Sequence, residues 1–318
     1  MRNRSLVLLS GEPTTIPVAE ARALFLAYDP GSRFESPEKG VLLAESAADP
    51  FRVASRIAFS KRVGRLVSSP SEVAETVRGK PIRVRSFSLP TGKSPADPEE
   101  VLRGLDVRVD LENPAFELTV VEGRRRYIAL TSPAGMKQGW SLRRPRRRPF
   151  FHPAAIFPKL SRALVNFSRC KEGEFFLDPF AGTGSLAIEA SVIGAQVVAF
   201  DRAAKMTHGS LANMRKFGQE WLGVVNCDSF SPPVTRVDAI ATDVPYGRAS
   251  STGGKGAERV VRDALSSAQA LLRSGSMLVI MHPKSLPAEP GSGWSFEEEH
   301  ELYVHKRLTR AITVLRRR

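Results

Sequence analysis

Apolar residues follow two rhythms along the chain, and the change between them falls near residue 153. Before it, short apolar runs and alternating stretches dominate. Residues 6–9 form a compact apolar strand, and residues 18–28 carry helical spacing at Ala21, Leu24, Phe25 and Tyr28 after Pro17. Extended candidates follow around Phe34 and over 41–44, then a helix near 51–59 and a strand near 62–67. Pro70 and Ser71 open a helix that Gly79 stops, and 82–87 alternates like a strand. A short helix is predicted over 99–105, and strands over 116–121 and 127–130 flank Glu122-Gly123. Beyond residue 153 buried strands and amphipathic helices take turns. The strands are predicted at 175–178, 196–201, 222–227, 237–243 and 277–281, with later candidates at 299–304 and 311–315. Helices are predicted around Leu160–Phe167 and over 185–193, 205–217 and 257–272.

These patterns predict an α/β protein in pieces. The first 68 residues, read β-α-β-β-α-β, have the ferredoxin-like order, and residues 69–132 form a second small α+β module. Residues 133–152 read as an Arg-rich linker. Residues 153–318 predict a Rossmann-like, mostly parallel sheet that binds ligands at the C-terminal ends of its strands.

Charge changes the picture next. The chain holds 47 Lys and Arg against 33 Asp and Glu, a net +14. Residues 1–148 carry +9 of that and residues 149–318 carry +5. Such an excess favours a polyanionic partner, because cations placed on phosphates release condensed counterions. Arg143, Arg144, Arg146, Arg147 and Arg148 crowd six positions around Pro145. They read either as a solvated tether or as a strap on substrate phosphates, and the second reading is the one adopted. The two cysteines, Cys170 and Cys227, have no CxxC spacing, so neither a disulfide scaffold nor a metal site is expected. With no apolar run of membrane-spanning length and no signal peptide, the expected compartment is the cytoplasm.

The chemistry concentrates at predicted strand ends. Asp178-Pro-Phe180-Ala-Gly182-Thr-Gly184-Ser follows a buried strand and opens a helix. Glycines there permit close backbone approach, and helix N-terminal amides face the ligand. On glycines alone a dinucleotide site fits equally well, with Asp201 on the ribose. Asp178 discriminates. A carboxylate at that point would repel a pyrophosphate, yet it can hold the ammonium of a sulfonium cofactor's methionine end. Asp201 is placed to accept both ribose hydroxyls, and Asp228 to accept the adenine amino group. After the fourth strand comes Asp243-Val244-Pro245-Tyr246-Gly247. It is similar to the Asp-Pro-Pro-Tyr signature of methyltransferases acting on exocyclic or amide nitrogens. The Asp243 carboxylate and the Val244 carbonyl can accept both N–H bonds of an amine, and Tyr246 offers a face to stack an extruded base. Val244 stands where that signature has proline. Its carbonyl serves equally, and Pro245 still holds it extended.

Two resemblances extend this reading. Val109-Asp-Leu-Glu-Asn-Pro114, leading into Phe116–Val121, resembles the closing portion of THUMP domains, which bind RNA. Further on, Pro149-Phe-Phe151-His152-Pro153, Asp178–Gly184, Thr242–Arg248 and His305-Lys-Arg-Leu-Thr-Arg310 together resemble the archaeal tRNA guanine-10 methyltransferases. That resemblance implies S-adenosylmethionine as cofactor and tRNA as partner, with the 2-amino group of guanosine 10 methylated once or twice. It implies Phe151 and Pro153 on the cofactor and Arg248 beside the target base, while His152 reads as a turn or packing residue. It also implies a small zinc-binding activator protein, for which the apolar, unguarded strand 222–227, expected at a sheet edge, is the predicted dock. Readings left beside it are an amine methyltransferase on rRNA or DNA, an NAD-dependent oxidoreductase, and a non-catalytic RNA-binding protein.

Overall fold

The structure is a computed structural model. It describes residues 2–11, 15–90, 94–133, 138–219, 221–245, 256–286, 288–306 and 308–318. The chain forms two compact units, an N-terminal one of Met1–Pro13 with Pro17–Gln138 and a second of Gly139–Arg318 with Thr14–Ile16.

The N-terminal unit is built on strands β1 (Asn3–Leu9), β2 (Arg33–Glu38), β3 (Val41–Ser46), β4 (Ser60–Leu66), β5 (Ile82–Ser88), β6 (Phe116–Glu122) and β7 (Arg126–Thr131). They form one sheet in the order β2-β3-β1-β4-β7-β6-β5. Helices α1 (Ile16–Tyr28) and α2 (Pro50–Ala54) supply Leu24, Phe25 and Val53 to a core with Val7, Leu42 and Val63. Helix α3 (Pro70–Val77) puts Val73 and Val77 against Ile82, Leu118 and Leu130. Ser69 caps α3 by accepting from the Glu72 N–H, and the Glu72 side chain accepts from the N–H of Ser68, just before the cap. Helix α4 is short (Pro98–Leu102). The division expected at residue 68 does not separate two sheets: β4 pairs with β7 through Gly64↔Thr131 and Leu66↔Ala129. Gly64 permits that junction, since a Cβ there would lie 2.2 Å from the Leu130 carbonyl oxygen.

The second unit alternates helix and strand: α5 (Pro158–Phe167), β8 (Phe175–Asp178), α6 (Ser185–Val192), β9 (Gln196–Asp201), α7 (Ala204–Phe217), β10 (Trp221–Asn226), β11 (Ala239–Asp243), α8 (Ala257–Leu271), β12 (Met277–Pro283), β13 (Trp294–His305) and β14 (Leu308–Arg317). The sheet order is β10-β9-β8-β11-β12-β14-β13. Strands β8 to β12 are parallel, and β14 joins β12 antiparallel. Leu177, Phe200, Ile240 and Ile280 pack with Val261, Leu265 and Ala268 of α8. Because both faces of the inner parallel strands β8, β9, β11 and β12 are covered, they read in the sequence as continuous apolar runs. The parallel strands bring their C-terminal ends to one edge, where the order turns between β8 and β11. As expected, β10 is the outer strand; it exposes Leu222.

The segment expected as a linker is folded into this unit from Gly139 onward. Arg143 and Arg148 are buried, contrary to their expected place on substrate phosphates. Arg143 donates from Nε and Nη2 to Glu189 of α6 at 2.7 and 3.1 Å, and Arg162 of α5 reaches the same carboxylate at 2.8 Å. Both guanidinium groups lie over the Trp140 ring. Arg148 donates to the Arg143 carbonyl, to Ser185 Oγ and to the Ile156 carbonyl. Burial pulls its pKa down to about 10. Only Arg144, Arg146 and Arg147 of the five are exposed. Alternation of inward and outward residues around a 3₁₀ turn at Pro145–Arg147 splits the run.

Candidate active site

At the strand-end edge lies a cavity of about 520 Å³ whose wall includes Asp178, Gly182, Asp201, Asp228, Asp243 and Arg310. Each acid arrives by the same route. A strand runs out of the core and its last residue, or one just beyond, meets solvent space at the open edge.

Asp178 ends β8 and is buried. Its Oδ1 accepts from Thr242 Oγ1 at 2.8 Å and from the Phe180 N–H at 3.3 Å. Burial, with smaller repulsion from Asp243 and Asp201, pushes its pKa up to about 7. Asp201 ends β9 and is held by two backbone donors, Gly182 N–H on Oδ2 at 2.9 Å and Ala203 N–H on Oδ1 at 2.8 Å. Each oxygen keeps a second acceptor site, so the carboxylate is fixed in place and still able to receive a ligand. Asp228 follows β10, is exposed, and accepts from the Phe230 N–H. Phe230 packs edge-on against Phe180 at 5.9 Å between centroids, and both rings line the cavity.

The two glycines of the turn have separate jobs. Gly182 lines the cavity with φ +53°, and a Cβ there would meet open space, so its bare backbone is the surface offered to a ligand. Gly184 caps α6 with φ +77°, and a Cβ there would lie 2.4 Å from Ser210 Oγ of α7. It sets helix packing and is not on the cavity wall.

Asp243 ends β11. Burial raises its pKa to about 6 against the opposing pull of Arg310, whose Nη1 lies 3.1 Å from Oδ2. Oδ1 is buried and has no hydrogen-bond partner among the described residues. Val244 is buried, gives its N–H to the Met281 carbonyl at 3.0 Å, and lines the cavity with Pro245. Tyr246 and Arg248 lie outside the described residues.

Phe151 and Pro153, expected on the cofactor, are exposed and absent from the wall, which is formed by their neighbours His152, Ala154, Ala155 and Ile156. The segment is anchored one residue earlier: Asn213 of α7 brackets Phe150, accepting from its N–H and donating to its carbonyl and to that of Thr183. His152 thus belongs to the site although its sequence context reads as packing. Thr242 and Arg310 fall in stretches that carry the family resemblance, but nothing in the sequence assigns either a role. Thr242 precedes the signature by one residue, and Arg310 is 67 residues away from Asp243 along the chain, where no spacing rule reaches.

The cavity fits S-adenosylmethionine on its own chemistry. One wall presents a buried carboxyl for the ammonium, a backbone-fixed carboxylate for the ribose, and an apolar surface at Phe180 and Phe230. Fold and site define a class: a Rossmann-like domain that uses S-adenosylmethionine to transfer methyl groups. Residues 145–311 match the RMKL-like methyltransferase domain family, and the chain belongs to it. Over 98% of this chain and 99% of the other, it is 29% identical to a tRNA (guanine(10)-N2)-dimethyltransferase of Methanothermobacter thermautotrophicus. It is 32% identical to the protein of the same description from Methanocaldococcus jannaschii, over 66% of this chain and 56% of that one. Among solved structures, TrmN from Thermus thermophilus shares the fold with a TM-score of 0.50 and 19% identity, covering 99% of this chain and 100% of that one. No helix among the described residues is long and apolar enough to cross a membrane.

Proposed function

We propose that the protein methylates the exocyclic 2-amino group of a guanosine in tRNA, at position 10, adding one or two methyl groups. The observation that carries this reading is Asp243 at the end of β11, with one oxygen tied to Arg310 and the other without a partner among the described residues, on the wall of a cofactor-sized cavity. The names of the relatives supply the substrate.

A guanine 2-amino lone pair is delocalised into the ring and is a poor nucleophile. S-adenosylmethionine, when bound, supplies a methyl already activated by its sulfonium. The protein's task is therefore positioning. Asp178 holds the ammonium end, Asp201 the ribose hydroxyls and Asp228 the adenine amine. Asp243 Oδ1 and the Val244 carbonyl accept the two N–H bonds, so the nitrogen lone pair points at the methyl, and Asp243 takes up the proton the amine releases. The signature motif assigns Tyr246 to stacking the extruded base, and the family resemblance assigns Arg248 to the target base.

In the same reading residues 69–132 are a THUMP-like RNA-binding module, and the exposed Arg144, Arg146 and Arg147 track phosphates. The edge of β10, with Leu222, Val224 and Val225 and without Lys, Glu or Pro in the strand, docks a small zinc-binding activator. The thiols of Cys170 and Cys227, which form no disulfide, suit the cytoplasm. The test is incubation with an unmodified tRNA transcript and S-adenosylmethionine, followed by nucleoside mass spectrometry. N2-methyl- or N2,N2-dimethylguanosine is expected. A methyl on any other nucleoside, or none from protein that binds S-adenosylhomocysteine, contradicts the reading.

A further inference from the structure

Arg310 is the cationic side chain on the cavity wall that touches Asp243. It comes from β14, and the sheet explains how it arrives. Asp243 pairs with Met281 of β12, and β12 pairs in turn with β14, where Arg310 stands opposite Pro283. The arginine therefore crosses the end of β12, passing 3.8 Å from the Met281 sulfur, to reach a carboxylate two strands away. Both side chains are mostly withdrawn from water, at 17% and 18% exposure. An ion pair so placed is screened little, and its geometry is held by strands and not by flexible loops.

We propose that Arg310 is a positioning residue for the amine acceptor: Nη1 occupies Oδ2 of Asp243 and leaves Oδ1 as the oxygen that takes the substrate N–H. The proposal rests on the methyl-transfer reading of this cavity. An untethered carboxylate in the same place could turn about its Cβ–Cγ bond and present either oxygen. Tied at Oδ2, it presents one.

The arginine has a second consequence. Asp243 faces Asp178 from β8, Asp201 and Arg202 at the end of β9, Asp228 beyond β10, and His152 from the segment before α5. On β12 the neighbouring His282 is engaged by Thr313 and the Pro283 carbonyl. Burial opposes ionisation of Asp243, and Arg310 is the group in direct contact that favours it. Without that cation the carboxyl would hold its proton further into the neutral range and lose its capacity to take up the amine proton.

The test uses the full chain and two substitutions, Arg310→Met and Arg310→Lys. Selective ¹³C labelling of aspartate carboxyls, with the Asp243 signal assigned by its loss in Asp243→Asn, gives the Asp243 titration directly and without turnover. The wild-type midpoint is expected near 6. In Arg310→Met it should rise by about one pH unit or more, and in Arg310→Lys, where the charge remains, it should stay within about half a unit. Methyl transfer should then separate charge from geometry. Arg310→Met loses roughly 100-fold in kcat at pH 7 and recovers part of it by pH 9, while S-adenosylhomocysteine affinity changes by less than about threefold. Arg310→Lys keeps the wild-type pH limb at a rate lowered about tenfold, since a point charge cannot reproduce the fixed fork. An unmoved Asp243 midpoint in Arg310→Met overturns the proposal. If Arg310→Met does not fold, Arg310→Lys decides, and wild-type kcat in that variant overturns it. A wild-type chain that methylates no tRNA would count against the proposed function, while the titration would still report on the Arg310 contact.

Discussion

Binding of S-adenosylhomocysteine should weaken about tenfold when the pH falls from 8 to 6. The perturbation acts on Asp178, whose carboxyl is buried under Thr242 and the Phe180 N–H and titrates at about 7 without ligand. The ligand's ammonium favours the ionised form. With the midpoint at about 7, roughly nine-tenths of the sites are charged at pH 8 and roughly one-tenth at pH 6. The ratio is about tenfold in affinity, or about 1.4 kcal/mol. Asp243, raised to about 6, repels Asp178, so the two titrate as a pair and broaden the transition. The sign for stability runs the other way in the ligand-free protein. Folding raises both pKa values above 3.8, so the folded state binds the extra protons, and these groups contribute most at low pH. That contribution fades as pH rises from about 4 to about 7. Saturating ligand should therefore raise the melting temperature more at pH 8 than at pH 6. Calorimetric titration across pH 6–8, with Asp178→Asn as the control that flattens the dependence, is the assay. A dissociation constant that stays within about twofold over that range in the wild type would refute the placement of Asp178 on a cation.

Asp243→Ala should keep S-adenosylhomocysteine and tRNA affinity and lose roughly 100-fold or more of turnover; single-turnover transfer retaining above about a tenth of the wild-type rate counts against its role. Replacing Arg144, Arg146 and Arg147 together by Gln should flatten the log–log salt dependence of tRNA binding by about 0.7–0.9 for each phosphate no longer neutralised, and an unchanged slope removes these residues from the interface. Glu189→Gln leaves the buried guanidinium groups of Arg143 and Arg162 without their shared counter-charge. It should cost about 3–5 kcal/mol of stability, visible in a denaturant melt, whereas a loss below about 1 kcal/mol would mean the cluster relaxes.

What the sequence made legible follows from where the information sits. Strands β8, β9 and β11 are covered on both faces, so their apolar runs stand out, and the acid that ends each run marks the open edge of the sheet. Asp178, Asp201 and Asp243 are readable as a set for that reason, and Asp228 follows by its matching place after β10. Arg310 was not, because its partner lies across β12, and only the antiparallel return of β14 brings them together. The arginine run misled in a specific way. Like charges at consecutive positions look solvated, and nothing local reveals that Arg143 and Arg148 turn inward to Glu189 and Ser185 on α6. The single N-terminal sheet was hidden similarly, since β4 meets β7 across more than sixty residues and its one local mark is Gly64.

The proposed methyl acceptor is the exocyclic amine of one guanosine, and a single-atom-group change in the substrate removes that amine alone. Two tRNA transcripts, one with guanosine and one with inosine at position 10, are compared for uptake of labelled methyl from S-adenosylmethionine by the full chain. Inosine keeps the purine ring with its O6 and N1–H but lacks the 2-amino group. The guanosine transcript should take up about one or two methyl groups per molecule, and the inosine transcript none beyond background. Equal labelling of both would contradict transfer to that amine.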